Sequence, residues 1–175
     1  MFSNKIKVFL LISICLIFFP FTWNDVKSEE FKIISGLAKV IDGDTIKINK
    51  KKIRLMGIDA PEKRQTCERV WLSVIFISFR KNYPCGEIST KKLEILINDK
   101  NIKCVYTGKD KYKRFIAECF KDKTNINAWM VRNGHAVAYK KYSKKFVAEE
   151  NLAKKEKSGL WSGTFEMPWD FRKKN

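Results

Sequence analysis

Apolar and polar residues alternate along three consecutive stretches of the chain, at residues 33–41, 45–49 and 53–58. A two-residue period is typical of strands that bury one face. The Asp-Gly-Asp sequence at residues 42–44 is a turn signal between the first two stretches, and Gly36 suggests a bulge in the first. The pattern predicts a three-strand meander whose third strand ends on Asp59.

The second half of the chain predicts two more strands and three helices. Residues 101–106 and 115–120 have strand character, whereas the helical periods cover the ranges 86–98, 125–132 and 143–158. Asn125 and Ser143 are suited to cap the last two helices. We therefore expect an α+β, mainly β, fold: a five-stranded oligonucleotide-binding-type barrel with about three helices. The domain would span residues 29–164, followed by a basic aromatic tail at 165–175.

The N-terminus has the pattern of a targeting segment. Lys5 and Lys7 precede an apolar run at residues 8–19, which is short for an ordinary membrane span. We interpret residues 1–28 as a signal peptide, so the protein would be exported and either periplasmic or secreted. The alternative is an uncleaved N-terminal anchor.

The net charge narrows the choice of partners. The chain has 36 Lys and Arg against 19 Asp and Glu, which gives a formal charge of +17. So basic a domain attracts polyanions such as nucleic acid or anionic lipid. Residues 1–28 contain three lysines and one aspartate, so most of the positive charge belongs to the predicted domain.

The cysteines predict disulfides. Beyond the N-terminal segment the chain contains four, and an even number in an exported chain favours disulfides over free thiols. No two are two to four residues apart, which argues against a metal site. Of the three possible pairings we favour Cys67–Cys85 and Cys104–Cys119, because the second pair would lie on two neighbouring strands.

One segment does not fit the barrel pattern. Residues 70–79 are strongly apolar and lie between the first two predicted disulfide cysteines. The segment could be a hairpin arm, a short helix or an exposed loop that touches a membrane. We expect it to pack against the domain, since large apolar side chains are usually buried.

The acidic residues of the predicted meander could meet at one rim. Asp42 and Asp44 lie on its first turn, and Asp59 and Glu62 follow its third strand. Grouped carboxylates repel one another unless a hard cation neutralises them, and Ca²⁺ tolerates irregular oxygen sites. Arg54 lies between two apolar neighbours on the third strand and so faces the opposite side, where it can bind a phosphate.

Three motifs resemble the thermonuclease, or staphylococcal-nuclease-like, family. They are VIDGDT at residues 40–45, RLMGIDAPE at 54–62 and GKDKYKR at 108–114. Both their order and their spacing match, and the similarity covers most of the chain after the N-terminal segment. The resemblance implies a calcium-dependent nuclease that hydrolyses DNA and RNA with little sequence preference and leaves 3′-phosphate ends.

The resemblance also implies residue roles. Asp44, Asp59 and the backbone carbonyl of Ala60 would bind one Ca²⁺ ion, with Asp42 nearby through water. Glu62 would be the general base or would orient the attacking water. The phosphate-binding residues would be Arg54 and Arg114, and the residues that contact the substrate would be Lys111, Tyr112 and Tyr139.

A departure from the family pattern supports an alternative function. Lys113 stands where the family has glycine, directly before Arg114. If this position needs a positive φ, lysine carries a steric cost there and Arg114 could be misaimed. The alternative is a catalytically impaired barrel that only binds nucleic acid. Either protein would be a monomer with no protein partner, and membrane contact would involve only the N-terminal segment or residues 70–79.

Overall fold

A computed structural model describes residues 31–75 and 77–174. The predicted signal peptide therefore lies outside the described residues. The strands are β1 (Lys32–Asp42), β2 (Thr45–Ile48), β3 (Lys51–Leu55), β4 (Ile58–Asp59), β5 (Cys67–Val74), β6 (Ile77–Tyr83), β7 (Asn101–Lys109), β8 (Phe115–Lys121), β9 (Thr124–Asn125), β10 (Val137–Ala138) and β11 (Gly163–Thr164). The helices are α1 (Cys85–Ile97), α2 (Ile126–Arg132), α3 (Val147–Lys155) and α4 (Pro168–Lys174).

The five strands predicted from periodicity form a closed barrel. They follow the order β3-β2-β1-β7-β8, and β3 closes the circle by pairing in parallel with β8. The closing ladder sets Arg54 opposite Ile116. The neighbours of Arg54 on β3, Ile53 and Leu55, are buried in the barrel core. The predicted barrel is therefore confirmed, and so is the exclusion of Arg54 from its apolar interior.

The barrel interior is filled by alternating apolar side chains. Because successive residues of a strand face opposite sides, each strand contributes every second residue to the core. Helix α1 packs against β1 and helix α2 against β8, and the two helices add Leu93, Ile97 and Met130 to the core. The fully buried strand residues include Ile46, Ile48, Ile53, Ile102, Ala117 and Cys119.

Strand β1 pairs with a different strand along each part of its length. Its first part, up to Leu37, pairs with β7, and its second part pairs with β2. The predicted bulge at Gly36 is wrong, because the register of β1 shifts between Val40 and Asp42 instead. Gly36 serves close packing: a Cβ atom there would lie 2.9 Å from Cγ2 of Ile48.

Two element boundaries differ from the prediction. The third strand does not run on to Asp59, because Gly57 turns the chain with φ +73° and β4 pairs with β10 instead. Asn125 caps α2 as predicted, by accepting the N–H of Ala128. Ser143 does not begin the third helix: its hydroxyl accepts the N–H of Lys145 in a local turn, and α3 starts at Val147.

Two disulfides join the pairs that the sequence favours. Cys104–Cys119 links directly opposed residues of β7 and β8 in the barrel wall. Cys67–Cys85 joins the start of β5 to the start of α1. Within the described chain, no helix combines the length and hydrophobicity that a membrane crossing requires.

The segment between Cys67 and Cys85 corrects the sequence prediction most strongly. Residues 67–83, which we call the apolar hairpin, form the antiparallel pair β5–β6. The segment does not pack against the domain: Trp71 is 67% exposed and Ile75 is 86% exposed. Only the base of the hairpin is joined to another strand, through β11.

The tail adds a fourth helix, α4, where the sequence showed no clear element.

Candidate active site

A cleft of about 820 Å³ opens at one rim of the barrel, where the β1–β2 turn, the segment after β3 and the β7–β8 turn meet. Asp59 is fully buried beneath it. The structure therefore brings the predicted site residues together. Those that line the cleft are Asp42, Asp44, Arg54, Ala60, Glu62, Lys111, Tyr112, Arg114 and Tyr139.

The β1–β2 turn fixes Asp44. Its Oδ2 atom accepts the backbone N–H of Ala60 at 2.8 Å, and Oδ1 accepts the Thr45 hydroxyl at 3.1 Å. Gly43 is required here, because a Cβ atom would lie 2.2 Å from the Ser89 hydroxyl oxygen and 2.7 Å from Cβ of Ala60. Asp42 contributes its Oδ1 atom to the same turn, where it accepts the N–H of Asp44.

Arg54 joins the two buried carboxylates. It forms an ion pair with Asp44, and its Nη2 atom lies 2.6 Å from Oδ1 of Asp59. Burial lowers the pKa of Arg54, and the charge of Arg114 acts in the same direction, whereas Asp59 opposes both. Two carboxylates within reach of one guanidinium are a strongly polar centre in a part of the cleft that water scarcely reaches.

The Glu62 segment is held from two sides. Gln65 is completely buried, and its side-chain oxygen accepts the N–H of Glu62 while its backbone N–H donates to the Glu62 carbonyl. The start of α1 packs against the same backbone, where a Cβ atom at Gly86 would lie 1.8 Å from the Glu62 carbonyl oxygen. These contacts fix the backbone of Glu62 and leave its carboxylate at the cleft, 37% exposed.

Asp110 organises the turn that carries Arg114. Its Oδ1 atom accepts the N–H groups of Tyr112 and Arg114, each at 2.9 Å, and its Oδ2 atom accepts Nε of Arg114 at 2.7 Å. Burial alone would raise the pKa of Asp110, but these hydrogen bonds lower it below its ordinary value. Lys113 adopts φ +64°, so the position does need the left-handed region, and Arg114 nevertheless lines the cleft.

The tail adds a guanidinium that the sequence did not predict. Arg172 of α4 donates to Oδ2 of Asp59 and to Oε1 of Glu62, each at 2.8 Å. Partial burial lowers the pKa of Arg172, but the hydrogen bonds to the two carboxylates outweigh that effect and raise it. Trp169 of the same helix stacks on Tyr139, with ring centroids 5.4 Å apart. Helix α4 therefore contributes Arg172 to the lining of the cleft.

The chain matches the family model described as Staphylococcal nuclease homologue over residues 52–163. That range includes Arg54, Asp59, Glu62 and Arg114, and it is well over half of the chain. The chain belongs to this family.

Several of the similar proteins carry nuclease names. The chain is 38% identical over 170 residues to a protein of Haemophilus influenzae named uncharacterized endonuclease, with 93% of this chain and 81% of that protein covered. It is 28% identical over 170 residues to a micrococcal nuclease of Shigella flexneri, covering 86% and 83% of the two chains. It is also 34% identical over 133 residues to the succinoglycan biosynthesis protein ExoI of Rhizobium meliloti, covering 73% of this chain and 64% of ExoI. This member of the staphylococcal nuclease family is a nuclease, a hydrolase with nucleic acid as its substrate.

The acidic residues of this nuclease fit a hard cation only in part. In the described ranges, no three Asp, Glu, His or Cys side chains lie close enough together to form a metal site by themselves. Asp44 and Asp59 nevertheless share Arg54, so their carboxylates already crowd around one positive charge. Two carboxylates suit Ca²⁺ when carbonyl, water or substrate oxygens complete the shell. The donor chemistry therefore fits a set of two direct carboxylate ligands, which is the number that the resemblance implies.

Three positioning residues escaped the sequence analysis. Asp110 had a local signal, because an aspartate often binds the backbone N–H two residues later in a turn. Gln65 lies only three residues from Glu62, but no turn signal marked it. Arg172 had no local signal at all, because 110 residues separate it from Glu62. His135 is mostly buried, and burial together with the charge of Lys92 lowers its pKa to about 4.

Proposed function

We propose that this nuclease is a calcium-dependent phosphodiesterase that cleaves DNA and RNA with little sequence preference and leaves 3′-phosphate ends. The observation that carries the proposal is the single cleft that combines Asp44, Asp59, Glu62, Arg54 and Arg114. Both carboxylate and guanidinium groups are needed there, since a phosphodiester is itself an anion that must be bound and neutralised.

Asp44 and Asp59 would hold one Ca²⁺ ion, together with the carbonyl of Ala60 and with Asp42 through water. The bound cation would neutralise negative charge on the phosphate. The hydrogen bonds from Ala60 and Thr45 orient Asp44 before any cation arrives, which lowers the cost of assembling the site.

Arg54 and Arg114 would bind the phosphate oxygens. The ion pair of Arg114 with Asp110 uses Nε, so a phosphate can take the two terminal nitrogens of that guanidinium. Arg54 is more deeply buried and is held by carboxylates that would also bind the cation. Two guanidinium groups stabilise the charge that develops on the oxygens during cleavage.

Glu62 would act on the attacking water. Its carboxylate would accept a proton as the water oxygen bonds to phosphorus, while the bond from phosphorus to the 5′-oxygen breaks. The leaving 5′-oxygen would take a proton from solvent, and the phosphate would stay on the 3′-oxygen. The hydrogen bonds of Gln65 and the packing of Gly86 support this role, because they fix the Glu62 backbone beside the cleft.

The remaining cleft residues would contact the rest of the substrate. Lys111 and the 67%-exposed Tyr112 lie beside Arg114 on the same turn and would contact a terminal phosphate. Tyr139 already has a stacking partner in Trp169, so the two rings together would form the surface on which a base rests.

The binding-module alternative depends on Lys113. Although its φ of +64° is unfavourable for lysine, the Asp110 hydrogen bonds keep Arg114 at the cleft. This arrangement supports catalysis over binding alone.

We further propose that residues 1–28 are a signal peptide, that the nuclease domain covers 29–164 with the tail at 165–175, and that the protein acts as an exported monomer. Two disulfides are compatible with the oxidising compartments to which exported proteins go.

The test is cleavage of single-stranded DNA and RNA by the full-length protein, with calcium or with a calcium chelator. We expect cleavage only with calcium, and 3′-phosphate ends on the products. Glu62→Gln should lower the rate by about 10²- to 10⁴-fold. The matched control is Glu94→Gln on the exposed face of α1, which should cleave like the wild type. Equal rates in the chelator, or an active Glu62→Gln protein, would contradict the proposal.

A further inference from the structure

The apolar hairpin exposes an unusual amount of apolar surface. Residues 70–79 contain no charged side chain. Exposed apolar patches of this kind mark sites of interaction in soluble proteins. The exposed side chains include Val70 (51%), Trp71 (67%), Leu72 (45%), Val74 (49%), Ile75 (86%), Ile77 (62%) and Phe79 (51%).

The few polar side chains of the hairpin tip satisfy one another. Ser73 and Ser78 face each other across the strand pair, and their hydroxyl oxygens are 3.1 Å apart. Leu72 lies opposite Phe79 and Val74 lies opposite Ile77, so one face of the tip is entirely apolar. No charge has to be removed from water when this tip enters an apolar phase.

The turn at the tip breaks a local rule. Ile75 adopts φ +50°, a conformation that glycine or asparagine fits far better than a β-branched residue. Among the described large apolar residues, its side chain is also the most exposed. An isoleucine that is strained and uncovered contributes little to folding, so an apolar contact outside the protein is the physical reason to have it there.

Basic residues surround the hairpin below its apolar part. Arg69 and Lys81 form an opposed pair, and Arg80 precedes Lys81 on the same strand, where it forms an ion pair with Glu68. Arg69, Arg80 and Lys81, which we call the basic collar, lie next to Trp71. This order matches the layers of a bilayer surface. The apolar tip corresponds to the acyl chains, Trp71 to the interface, and the cationic residues to the anionic head groups.

The dimensions agree with shallow insertion. The five residue steps from Val70 to Ile75 would extend roughly 16 Å at the rise of a β-strand. That length lets the tip pass the head groups while the basic collar stays among them. Deep insertion is unfavourable, because within the described chain β6 is an edge strand and its outer N–H and carbonyl groups need water.

We propose that the apolar hairpin docks the nuclease on the anionic leaflet of a phospholipid bilayer. Charge decides between a membrane and a second copy of this chain. A second copy could cover the apolar tip but would leave Arg69, Arg80 and Lys81 without a counter-charge, whereas an anionic leaflet covers the tip and attracts those cations at the same time. The formal charge of +17 for the whole chain acts in the same direction.

The experiment measures how close Trp71 comes to acyl chains. The full-length protein is mixed with vesicles of 30% phosphatidylglycerol and 70% phosphatidylcholine, prepared with or without bromine on the acyl chains. Subtracting the emission of Trp71→Phe from that of the wild type isolates the Trp71 signal. We expect brominated lipid to quench most of this signal, and high salt to weaken the effect.

Matched variants locate the contact. The double variant Ile75→Asp, Ile77→Asp should reduce the amount of protein whose Trp71 contacts lipid by at least about tenfold. The reason is that two apolar side chains are lost from the lipid phase. Ile95→Asp, which adds a charge at a 59%-exposed isoleucine of α1, should be quenched like the wild type. All variants keep residues 1–30, so any vesicle binding by that segment is common to them.

Three results would overturn the proposal. One is Trp71 emission that does not respond to brominated lipid. Another is equal loss of quenching in the tip variant and in Ile95→Asp. The third is a dimer in sedimentation that the tip variant dissociates, which would assign the surface to a second copy. Cleavage of DNA in solution should be unchanged in the tip variant, so the outcome does not depend on the nuclease assignment.

Discussion

The cleft and the apolar hairpin depart from ordinary protein surfaces in opposite directions. In the cleft, the charged side chains of Asp44 and Asp59 are buried, at 3% and 0% exposure. In the hairpin, the apolar side chains of Trp71 and Ile75 are exposed. Each departure is unfavourable for folding alone. In the cleft, guanidinium groups neutralise the buried carboxylates. At the hairpin, the proposed apolar phase outside the protein would cover the exposed side chains.

The cleft and the apolar hairpin also differ in how they are held by the rest of the protein. Asp44 and Asp59 are held by several hydrogen bonds from distant parts of the chain, so the cleft is part of the folded barrel. In the described ranges, the hairpin is joined to the rest of the protein at its base, where β11 pairs with Glu68 and Arg69 and the Cys67–Cys85 disulfide closes the loop. Changes in the cleft should therefore affect both catalysis and stability, whereas changes at the tip should affect neither.

After Glu62→Gln, the largest effect is expected from Arg54→Lys. Lysine keeps the charge but cannot reach two carboxylates or two phosphate oxygens in a planar fork, so the cleavage rate should fall about 10²- to 10³-fold. The measurement is the initial rate on single-stranded DNA. Arg132→Lys, which changes an exposed arginine paired with Glu156, is the control and should keep full activity. An Arg54→Lys protein as active as the control would contradict the role of the guanidinium.

Loss of the disulfide at the hairpin base should lower stability. Cys67 and Cys85 are 18 residues apart, and a crosslink over such a loop stabilises the folded state by about 3 kcal/mol. The double variant Cys67→Ser, Cys85→Ser should lose about this free energy of unfolding in urea titrations. The rate of DNA cleavage by the remaining folded protein should stay within about twofold. An unchanged free energy would show that the hairpin base needs no covalent closure.

Arg172→Gln should strengthen calcium binding about fivefold. Arg172 occupies Asp59 and Glu62, and a half-exposed ion pair of this kind contributes up to about 1 kcal/mol. Titration calorimetry without DNA measures the effect directly. Lys173→Gln, which removes a neighbouring charge paired with Asp170, should leave the affinity unchanged. Weaker calcium binding in Arg172→Gln would mean that helix α4 supports the cation rather than competes with it.

The smallest effect is expected at the strained turn. Lys113→Gly relieves the left-handed conformation at φ +64° and should raise the free energy of unfolding by about 1 kcal/mol. Lys123→Gly, at an exposed turn position outside the left-handed region, should lower it. Urea titrations of the two variants give the comparison. If Lys113→Gly also raised the cleavage rate more than about tenfold, Lys113 would be limiting the reach of Arg114.

The sequence predicted the barrel well because strand alternation is a local signal. The five strands and the turn that carries Asp44 follow from residues close together in the chain. Contacts that depend on the folded shape could not be predicted: Arg172 reaches Glu62 from a tail that has no periodicity of its own. The hairpin prediction failed for a different reason. Apolar residues are usually buried, and residues 70–79 have the composition of a core, whereas the described residues among them lie outside it.

The parallel ladder between β3 and β8 has a consequence for the cell that makes the protein. Arg54 lies on β3, and Arg114 directly precedes β8. Arg54 and Arg114 are therefore brought together only when β3 and β8 pair. A newly made or unfolded chain has the same residues but no assembled site. If the chain folds only after it leaves the cytoplasm, the genome of its producer is never exposed to an active enzyme.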